Sequence, residues 1–284
     1  MASCFQKVKL LSTNRLMRAA YPRWLLARLT TGKPPTLKLG NNVRIGGWIN
    51  FSEYCSFHNA VPEAERLFIS RCLGAKPNQT VAFDIGANIG VFTCLLGSMG
   101  AAQVHAFEPI PETFCRLKNN VVANGMLSRS VLNCLAVGRQ PQLITFQVQD
   151  HSPATNKLSI TNPENASNTA VNLQHVAATS LDSYCEAFGV EQIDFLKVDV
   201  EGMEPQVLEG GGRMLSQKRV TGVLLEFCPD NLAAVGSSPS RLFKDIMSSG
   251  YHPHRLDPSG SPGKSISLGD MERVSLENVI LLPG

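Results

Sequence analysis

A glycine-rich turn follows the first apolar segment of the sequence and is suited to binding part of a nucleotide or nucleoside. Asp84 precedes Gly86, Asn88 and Gly90, and a long apolar run comes next. Glycine has no Cβ atom, so the backbone N–H groups of such a turn can come close to a ligand. The turn does not match the dinucleotide fingerprint GxGxxG, which would require glycines where the chain has Asn88 and Val91.

A second carboxylate, Glu108, ends the next apolar segment, 24 residues after Asp84. In nucleotide-binding sheets, a carboxylate at the end of the second strand accepts hydrogen bonds from the hydroxyls of a ribose. Asp84 and Glu108 together predict an acidic, glycine-lined cleft, which tolerates a cationic ligand and repels polyphosphates. A sulfonium nucleoside therefore fits this pattern better than NAD or ATP.

Lys197, Asp199 and Glu201 stand at every second position at the end of a later apolar segment. While the strand persists, such residues share one face, and their charges need partners or a ligand if they are buried. A carboxylate at such a place could act as general base towards a substrate hydroxyl, with Asp199 the first candidate and Glu201 the second. Lys197 is either a catalytic cation or half of a structural ion pair. Glu226 ends the next apolar segment and could bind acceptor hydroxyls, cap a helix or form an ion pair.

The elements that would position these residues are apolar strands that alternate with helices from about residue 61 to 284. This alternation predicts a mostly parallel, doubly wound α/β sheet, in which ligands bind at the carboxyl ends of the strands. A polar stretch at 150–169 lacks periodicity and is expected to be a long loop that shapes the acceptor site. Strands are predicted at 80–84, 104–107, 130–137, 143–148, 193–200, 220–227, 251–256 and 276–282, and helices at 63–73, 91–99, 111–124, 180–189, 204–215 and 241–249.

Residues 1–60 form a basic N-terminal extension of this domain. The first 52 residues hold nine Lys and Arg side chains and no carboxylate, whereas the remaining 232 carry a net charge of −6. That acidic body has no surplus of basic residues for phosphates, so a nucleic-acid partner is not expected. The extension is a targeting segment, a surface helix in peripheral contact with a membrane, or an arm packed on the domain.

The cysteine pattern indicates a reducing compartment. The eight cysteines are at least 17 residues apart, and no CxxC motif occurs. Free thiols in the cytoplasm explain this pattern better than a disulfide framework, and the basic N-terminus leaves a mitochondrial or plastid location as the alternative. No metal site is expected, because the only close histidine pair, His252 and His254, lacks neighbours at metal-ligand spacing. Residues 85–104 are uncharged, but their four glycines argue against a membrane span.

Four segments, in this order and spacing, resemble the FkbM-type family of S-adenosylmethionine-dependent class I methyltransferases. They are Val81–Gly90, His105–Pro109, Phe195–Gly202 and Leu225–Phe227, and the resemblance extends from about residue 63 to 282. It implies a Rossmann-like, seven-stranded sheet with an antiparallel last strand, and S-adenosyl-L-methionine as methyl donor. It also implies O-methylation of a hydroxyl on a sugar, polyketide or related metabolite, so the expected partner is a small or medium hydroxylated acceptor.

The resemblance also assigns the cofactor site, although two other functions stay open. One is an N-methyltransferase of the same fold, in which Asp199→Asn would leave activity largely intact, and the other is a nucleoside-binding scaffold without catalysis. An NAD oxidoreductase is disfavoured by the glycine spacing and the acidic cleft. By the resemblance, the cofactor would contact Asp84, Gly86, Asn88 and Gly90 at its methionine end, Glu108 at its ribose and Ala136 at its adenine.

Overall fold

The computed structural model describes residues 20–40, 42–57, 60–74, 79–147, 157–158, 173–273, 275 and 277–284. Its strands are β1 Leu37–Lys38, β2 Arg44–Ile45, β3 Val81–Ile85, β4 Gln103–Phe107, β5 Ser130–Asn133, β6 Ala136–Gly138, β7 Gln142–Gln147, β8 Lys157–Leu158, β9 Leu173–Ser180, β10 Phe195–Val198, β11 Val223–Phe227, β12 Tyr251–Leu256, β13 Pro262–Ser265 and β14 Glu277–Pro283. Its helices are α1 at residues 20–31, α2 Phe51–Ser56, α3 Glu63–Gly74, α4 Val91–Ser98, α5 Pro111–Ala123, α6 Leu181–Phe188, α7 Glu204–Gly210, α8 Gly212–Ser216, α9 Pro229–Ala234, α10 Pro239–Ser248 and α11 Leu268–Met271.

An eight-stranded sheet forms the centre of the fold, in the order β13-β12-β14-β11-β10-β3-β4-β5. The strands from β11 to β5 in this order run parallel, and β14 inserts antiparallel between β11 and β12. The predicted doubly wound sheet with an antiparallel last strand is therefore confirmed. β13 extends the edge by pairing antiparallel with β12, an addition that the sequence analysis did not predict.

Helices cover both faces of this sheet. Ala82 belongs to an apolar cluster shared with α3, α4 and α5, whereas its neighbour Phe83 belongs to a second cluster shared with α6, α7 and α10. Successive strand residues point to opposite faces, so the continuous apolar strands serve two cores. β4, the next strand along the chain, lies on one side of β3, and β10 lies on the other side. This reversal of the strand order opens a crevice at the carboxyl ends of the strands.

A smaller sheet, in the order β6-β9-β7-β8, stands beside the first one. The predicted single strand at 130–137 is wrong in this respect, because β5 ends at Asn133 and β6 pairs with β9 of the smaller sheet. The predicted strand at 143–148 corresponds to β7, which pairs antiparallel with β9. The predicted loop at 150–169 lies outside the described residues, apart from β8.

The described part of the N-terminal extension packs against the domain. The Arg44 and Gly46 N–H groups donate to the side-chain oxygens of Asn124 and Asn120 on α5, at 2.8 and 2.9 Å. Glu53, which is buried, forms an ion pair at 2.6 Å with the partly buried Arg116. The apolar cluster that contains Ala82 also includes the buried side chains of Ile45, Trp48 and Tyr54 from the extension. These contacts are those expected of an arm packed on the domain. The boundary of the domain near residue 61 stays a prediction.

Two further observations concern the thiols and the helices. Among the described residues, Cys55, Cys72, Cys94, Cys115, Cys134, Cys185 and Cys228 are free. No helix in the ranges given above is long and apolar enough to cross a bilayer.

We expect Trp48→Ala to lower the free energy of unfolding by about 3–5 kcal/mol, because truncation of a buried aromatic side chain leaves a cavity. Trp48 is 4% exposed, and its Nε1–H donates to the Pro35 carbonyl at 2.9 Å. The neighbouring Ile49 is 50% exposed and provides the matched control, since Ile49→Ala should change stability by less than about 0.5 kcal/mol. Chemical denaturation of the full chain measures both. Equal, small losses would show that the extension does not contribute to the stability of the domain.

Candidate active site

A cleft opens at the carboxyl ends of β3, β4, β10 and β11, where the sequence analysis placed the chemistry. Seven of the predicted site residues line it, namely Gly86, Asn88, Glu108, Ala136, Asp199, Glu201 and Glu226. Asp84, Gly90 and Lys197 are not part of this lining and support it from behind. The remaining wall comes from Ser56, Phe57, Ile85, Phe107, Pro109, Ile110, Leu135, Val137, Ile144, Phe146, Val200 and Met203.

The glycine-rich turn brings two strand ends into close contact. Gly86 has a φ of +79°, and a Cβ atom at this position would lie 1.8 Å from the Asp199 carbonyl oxygen. Only glycine fits there, because both the positive φ and the approach exclude a side chain. The N–H groups of Gly86 and Ala87 donate to the Phe107 carbonyl, at 3.1 and 2.9 Å. The turn is thus fixed to β4 on one side and to the end of β10 on the other.

Gly90 has a packing role in addition to the contact that the resemblance assigns to it. It begins α4 with a φ of +90°, and a Cβ atom would lie 2.6 Å from the side chain of Leu117 on α5. It therefore allows α4 and α5 to pack closely, and a contact with a cofactor stays a prediction for this residue.

Glu108 joins the two loops that meet above β3 and β4. Its Oε2 accepts the Asn88 N–H and its Oε1 accepts the Ile110 N–H, each at 3.0 Å. Burial raises the pKa of Glu108 to about 7, although both backbone donors act in the opposite direction. The side chain is 7% exposed and lines the cleft, so its carboxylate is fixed in place and can accept further hydrogen bonds from a ligand.

Lys197 is buried between two carboxylates. Its Nζ lies 2.9 Å from Asp199 Oδ2 and 4.7 Å from the centre of the Phe92 ring. Burial disfavours the charge on Lys197, but the Asp199 and Asp84 carboxylates outweigh this effect and hold its pKa above the usual value. Asp84 is fully buried and accepts the Thr93 hydroxyl at 2.6 Å, and burial raises its pKa while Lys197 counteracts the rise. Lys197 therefore positions Asp199 and compensates the negative charge of the buried Asp84 carboxylate at the centre of the sheet.

Three carboxylates converge on one side of the cleft. Asp199, Glu201 and Glu226 each bring one oxygen within 4.8 Å of the others, a spacing at which a metal ion could bind. Burial, followed by the neighbouring Asp199 and Glu201 charges, raises the pKa of Glu226 well above its usual value, and its side chain hydrogen-bonds to Asp199. Glu226 is thus favoured in its protonated form, as a donor to Asp199. The absence of a metal from the reaction stays a prediction.

Asp199 and Glu201 reach the cleft from a loop and not from a strand. The predicted strand face with Lys197, Asp199 and Glu201 is wrong, because β10 ends at Val198. Glu201 has a φ of +53°, and Gly202 follows at +107°, where a Cβ atom would lie 2.4 Å from the Asn231 carbonyl oxygen. The turn brings Glu201 back into the site, where its Oε2 accepts the Asn231 amide at 2.5 Å.

Glu204 holds this loop in shape. Its Oε1 accepts the N–H groups of Val200 and Gly202, each at 3.2 Å. The residue also begins α7, where a carboxylate interacts favourably with the helix dipole. Burial raises the pKa of Glu204 to about 7.

Two parts of the wall were not predicted from the sequence. Ser56 and Phe57 come from the end of α2, inside the segment that was treated as an extension. Ile144 and Phe146 come from β7, and their spacing of two residues places them on the same face of that strand. The alternation in β7 was a usable signal, but the aromatic residues around α2 carried none that pointed to a cleft.

Comparison with known proteins adds a family and two relatives. The sequence model of the Methyltransferase FkbM domain matches residues 84–252. Methyltransferase 1 of Beauveria bassiana is 26% identical over 163 residues, which span 51% of this chain and 65% of that protein. The 2-O-methyltransferase NoeI of Sinorhizobium fredii is 28% identical over 184 residues, which span 61% of this chain and 73% of that protein.

Among solved structures, the methyltransferase FkbM from Methylobacillus flagellatus superposes with a TM-score of 0.42 and 13% identity. The superposition covers 72% of this chain and 44% of that one. The matched region therefore spans less than two thirds of the fungal relative and of the Methylobacillus chain.

We expect Lys197→Met to lower the free energy of unfolding by about 3–5 kcal/mol, because it leaves buried carboxylates without their cation. The double variant Lys197→Met with Asp84→Asn should recover part of this loss, since it removes one of those carboxylates. Arg213→Met provides the control, because the Arg213–Glu186 ion pair, at 3.2 Å, is exposed and should cost about 1 kcal/mol or less. Denaturant titration of the variants tests this, and an equal loss for both single variants would contradict it.

Proposed function

This chain belongs to the FkbM methyltransferase family, and on that basis we propose that it transfers a methyl group from S-adenosyl-L-methionine to a hydroxyl group. The acceptor we propose is a sugar, polyketide or related metabolite of small or medium size. The observation that carries the proposal is that Glu108 and the group Asp199, Glu201 and Glu226 line one cleft. Glu108 is suited to bind a ribose, and the group of three carboxylates is suited to bind an acceptor that must lose a proton.

The residues of the cleft fit an adenosyl cofactor. Glu108 presents a buried carboxylate for ribose hydroxyls, and nearby Asn88 has a buried side-chain oxygen with no hydrogen-bond partner among the described residues. Phe107, Leu135 and Val137 supply the apolar wall that an adenine ring requires. When bound, S-adenosyl-L-methionine supplies an electrophilic methyl group on a sulfonium centre. The acidic lining favours that positive charge.

The residues on the other side fit the deprotonation of a hydroxyl. Asp199 lies in the cleft and is held by Lys197, at 2.9 Å, and by the side chain of Glu226. Held in this way, it can accept the hydroxyl proton as the oxygen attacks, while Glu201 and Glu226 hydrogen-bond to neighbouring acceptor hydroxyls. Orientation of the acceptor oxygen in line with the transferred methyl group supplies most of the acceleration.

The name of one relative supports an oxygen acceptor. NoeI of Sinorhizobium fredii is called a 2-O-methyltransferase. An amine acceptor would depend much less on a base, so the cluster of carboxylates beside Asp199 also favours oxygen over nitrogen.

We expect Asp199→Asn to lower the rate of methyl transfer about 10²–10⁴-fold, because it removes the general base. Binding of S-adenosylhomocysteine should change little, since Asp199 is assigned to the acceptor. The assay follows labelled methyl groups from the cofactor into an extract of the source organism, with mass analysis of the product. Glu209→Gln is the control, because Glu209 forms an exposed ion pair with Arg139, at 2.9 Å, away from the cleft. Undiminished transfer by Asp199→Asn would instead favour a nitrogen acceptor.

We also expect the affinity for S-adenosylhomocysteine to rise as the pH increases through about 7, where Glu108 loses its proton. The ionised carboxylate can accept hydrogen bonds from ribose hydroxyls on both oxygens. In the protonated form, one oxygen carries a hydrogen atom that must itself be donated to an acceptor. Glu108→Gln should weaken binding roughly 10–100-fold and remove this pH dependence.

Glu65→Gln provides the matched control for this titration. The pKa of Glu65 is also raised to about 7 by burial, but its carboxylate accepts the Asn278 amide at 2.6 Å and does not line the cleft. Calorimetric titration at several pH values should therefore show the wild-type pH dependence in Glu65→Gln. If that variant lost the dependence and Glu108→Gln kept it, Glu108 would not be the ribose ligand.

A further inference from the structure

Helix α1 is attached to the protein along one narrow side. Within residues 20–31, the buried side chains are Ala20 and Trp24, which are one turn apart. The Trp24 ring packs against Phe51 and Tyr54 of α2, with ring centres 5.6 and 5.2 Å apart. The Tyr21 ring also contacts Phe51, with ring centres 5.1 Å apart, Ala27 is half-buried, and the other side chains of α1 are exposed.

The exposed side of α1 is largely apolar. Leu25, Leu26 and Leu29 are exposed, the last of them at 75%, and Tyr21 is exposed at 50%. We call these four residues the leucine stripe. At about 100° per residue, they cover an arc of roughly 140°, from Tyr21, about 60° from Trp24, to Leu26 on the opposite side of the helix. A continuous exposed apolar arc of this width, as opposed to scattered leucines, indicates a surface that binds something.

Basic residues flank the leucine stripe without any acidic counterpart. Arg23 and Arg28 lie at its two edges on the helical projection, and both are exposed. Lys33, Lys38 and Arg44 follow in the next segment, and the chain has no carboxylate before Glu53. The occupant of the stripe should therefore combine an apolar interior with a negative surface charge.

We propose that the leucine stripe of α1 docks onto an anionic lipid surface, with the helix lying in the plane of the headgroups. Apolar side chains on one side and arginines at the borders are typical of helices that bind membrane surfaces. A second copy of α1 is disfavoured as the occupant, because stripe-to-stripe pairing would bring Arg23 and Arg28 of both copies together. Residues 1–19 are disfavoured too, because they contain four basic residues and no acidic one to neutralise the arginines.

The test is sedimentation of the full chain with phosphatidylcholine vesicles that contain or lack phosphatidylserine. We expect binding to the anionic vesicles, with a decrease at high salt. The double variant Leu26→Glu with Leu29→Glu should reduce the partition coefficient at least about tenfold, because it places charges in the apolar contact. Arg23→Glu with Arg28→Glu should reduce it by a similar factor, since each basic residue near an anionic surface contributes roughly fivefold.

The matched control is Leu127→Glu, which changes a leucine that is 51% exposed on another part of the surface. It should bind vesicles like the wild-type chain, and unchanged thermal unfolding should confirm that all variants are folded. No binding by the wild-type chain would overturn the proposal, as would binding that the α1 variants leave intact. Concentration-dependent self-association that Leu29→Glu abolishes, without vesicle binding, would assign the stripe to a second copy instead.

Discussion

The burial of one ammonium group sets the arrangement of the candidate active site. Lys197 stands on β10 directly beside Asp84 on β3, and its chain reaches Asp199 just beyond the strand end. A lone cation in this position would cost several kcal/mol of stability, so carboxylates must accompany it. Asp199 is therefore held at the mouth of the cleft by the same interaction that allows charge inside the sheet. Structural and functional demands meet in a single ion pair.

Close backbone contacts make the strand ends a single unit. Gly86 abuts the Asp199 carbonyl, and Gly202 abuts the Asn231 carbonyl, each without room for a Cβ atom. The turn after β3, the loop after β10 and helix α9 are consequently fixed against one another. Glu108 adds the end of β4 to this unit through two backbone N–H donors. Such rigidity suits a reaction whose rate depends on alignment more than on covalent chemistry.

The sequence predicted the strand ends well because their signals are local. Apolar runs that end in Asp84, Glu108 or Asp199 identify buried parallel strands, and the glycine-rich turn identifies the first crossover. The change of sheet between β5 and β6 could not be predicted, because periodicity does not report which sheet a strand joins. The packing of residues 37–57 stayed one of three alternatives for a related reason. Glu53 meets Arg116 from 63 positions away, and no local pattern encodes such a contact.

The same long-range packing has a consequence for synthesis on the ribosome. The backbone N–H of Arg44 hydrogen-bonds to Asn124, 80 residues later in the chain. At typical elongation rates, roughly 4 to 16 seconds pass between the translation of the two partners. During that interval the extension has been made, but the Asn120 and Asn124 side chains that bind its backbone have not. The segment around Arg44 thus completes its packing late, only after the chain has been extended to the end of α5.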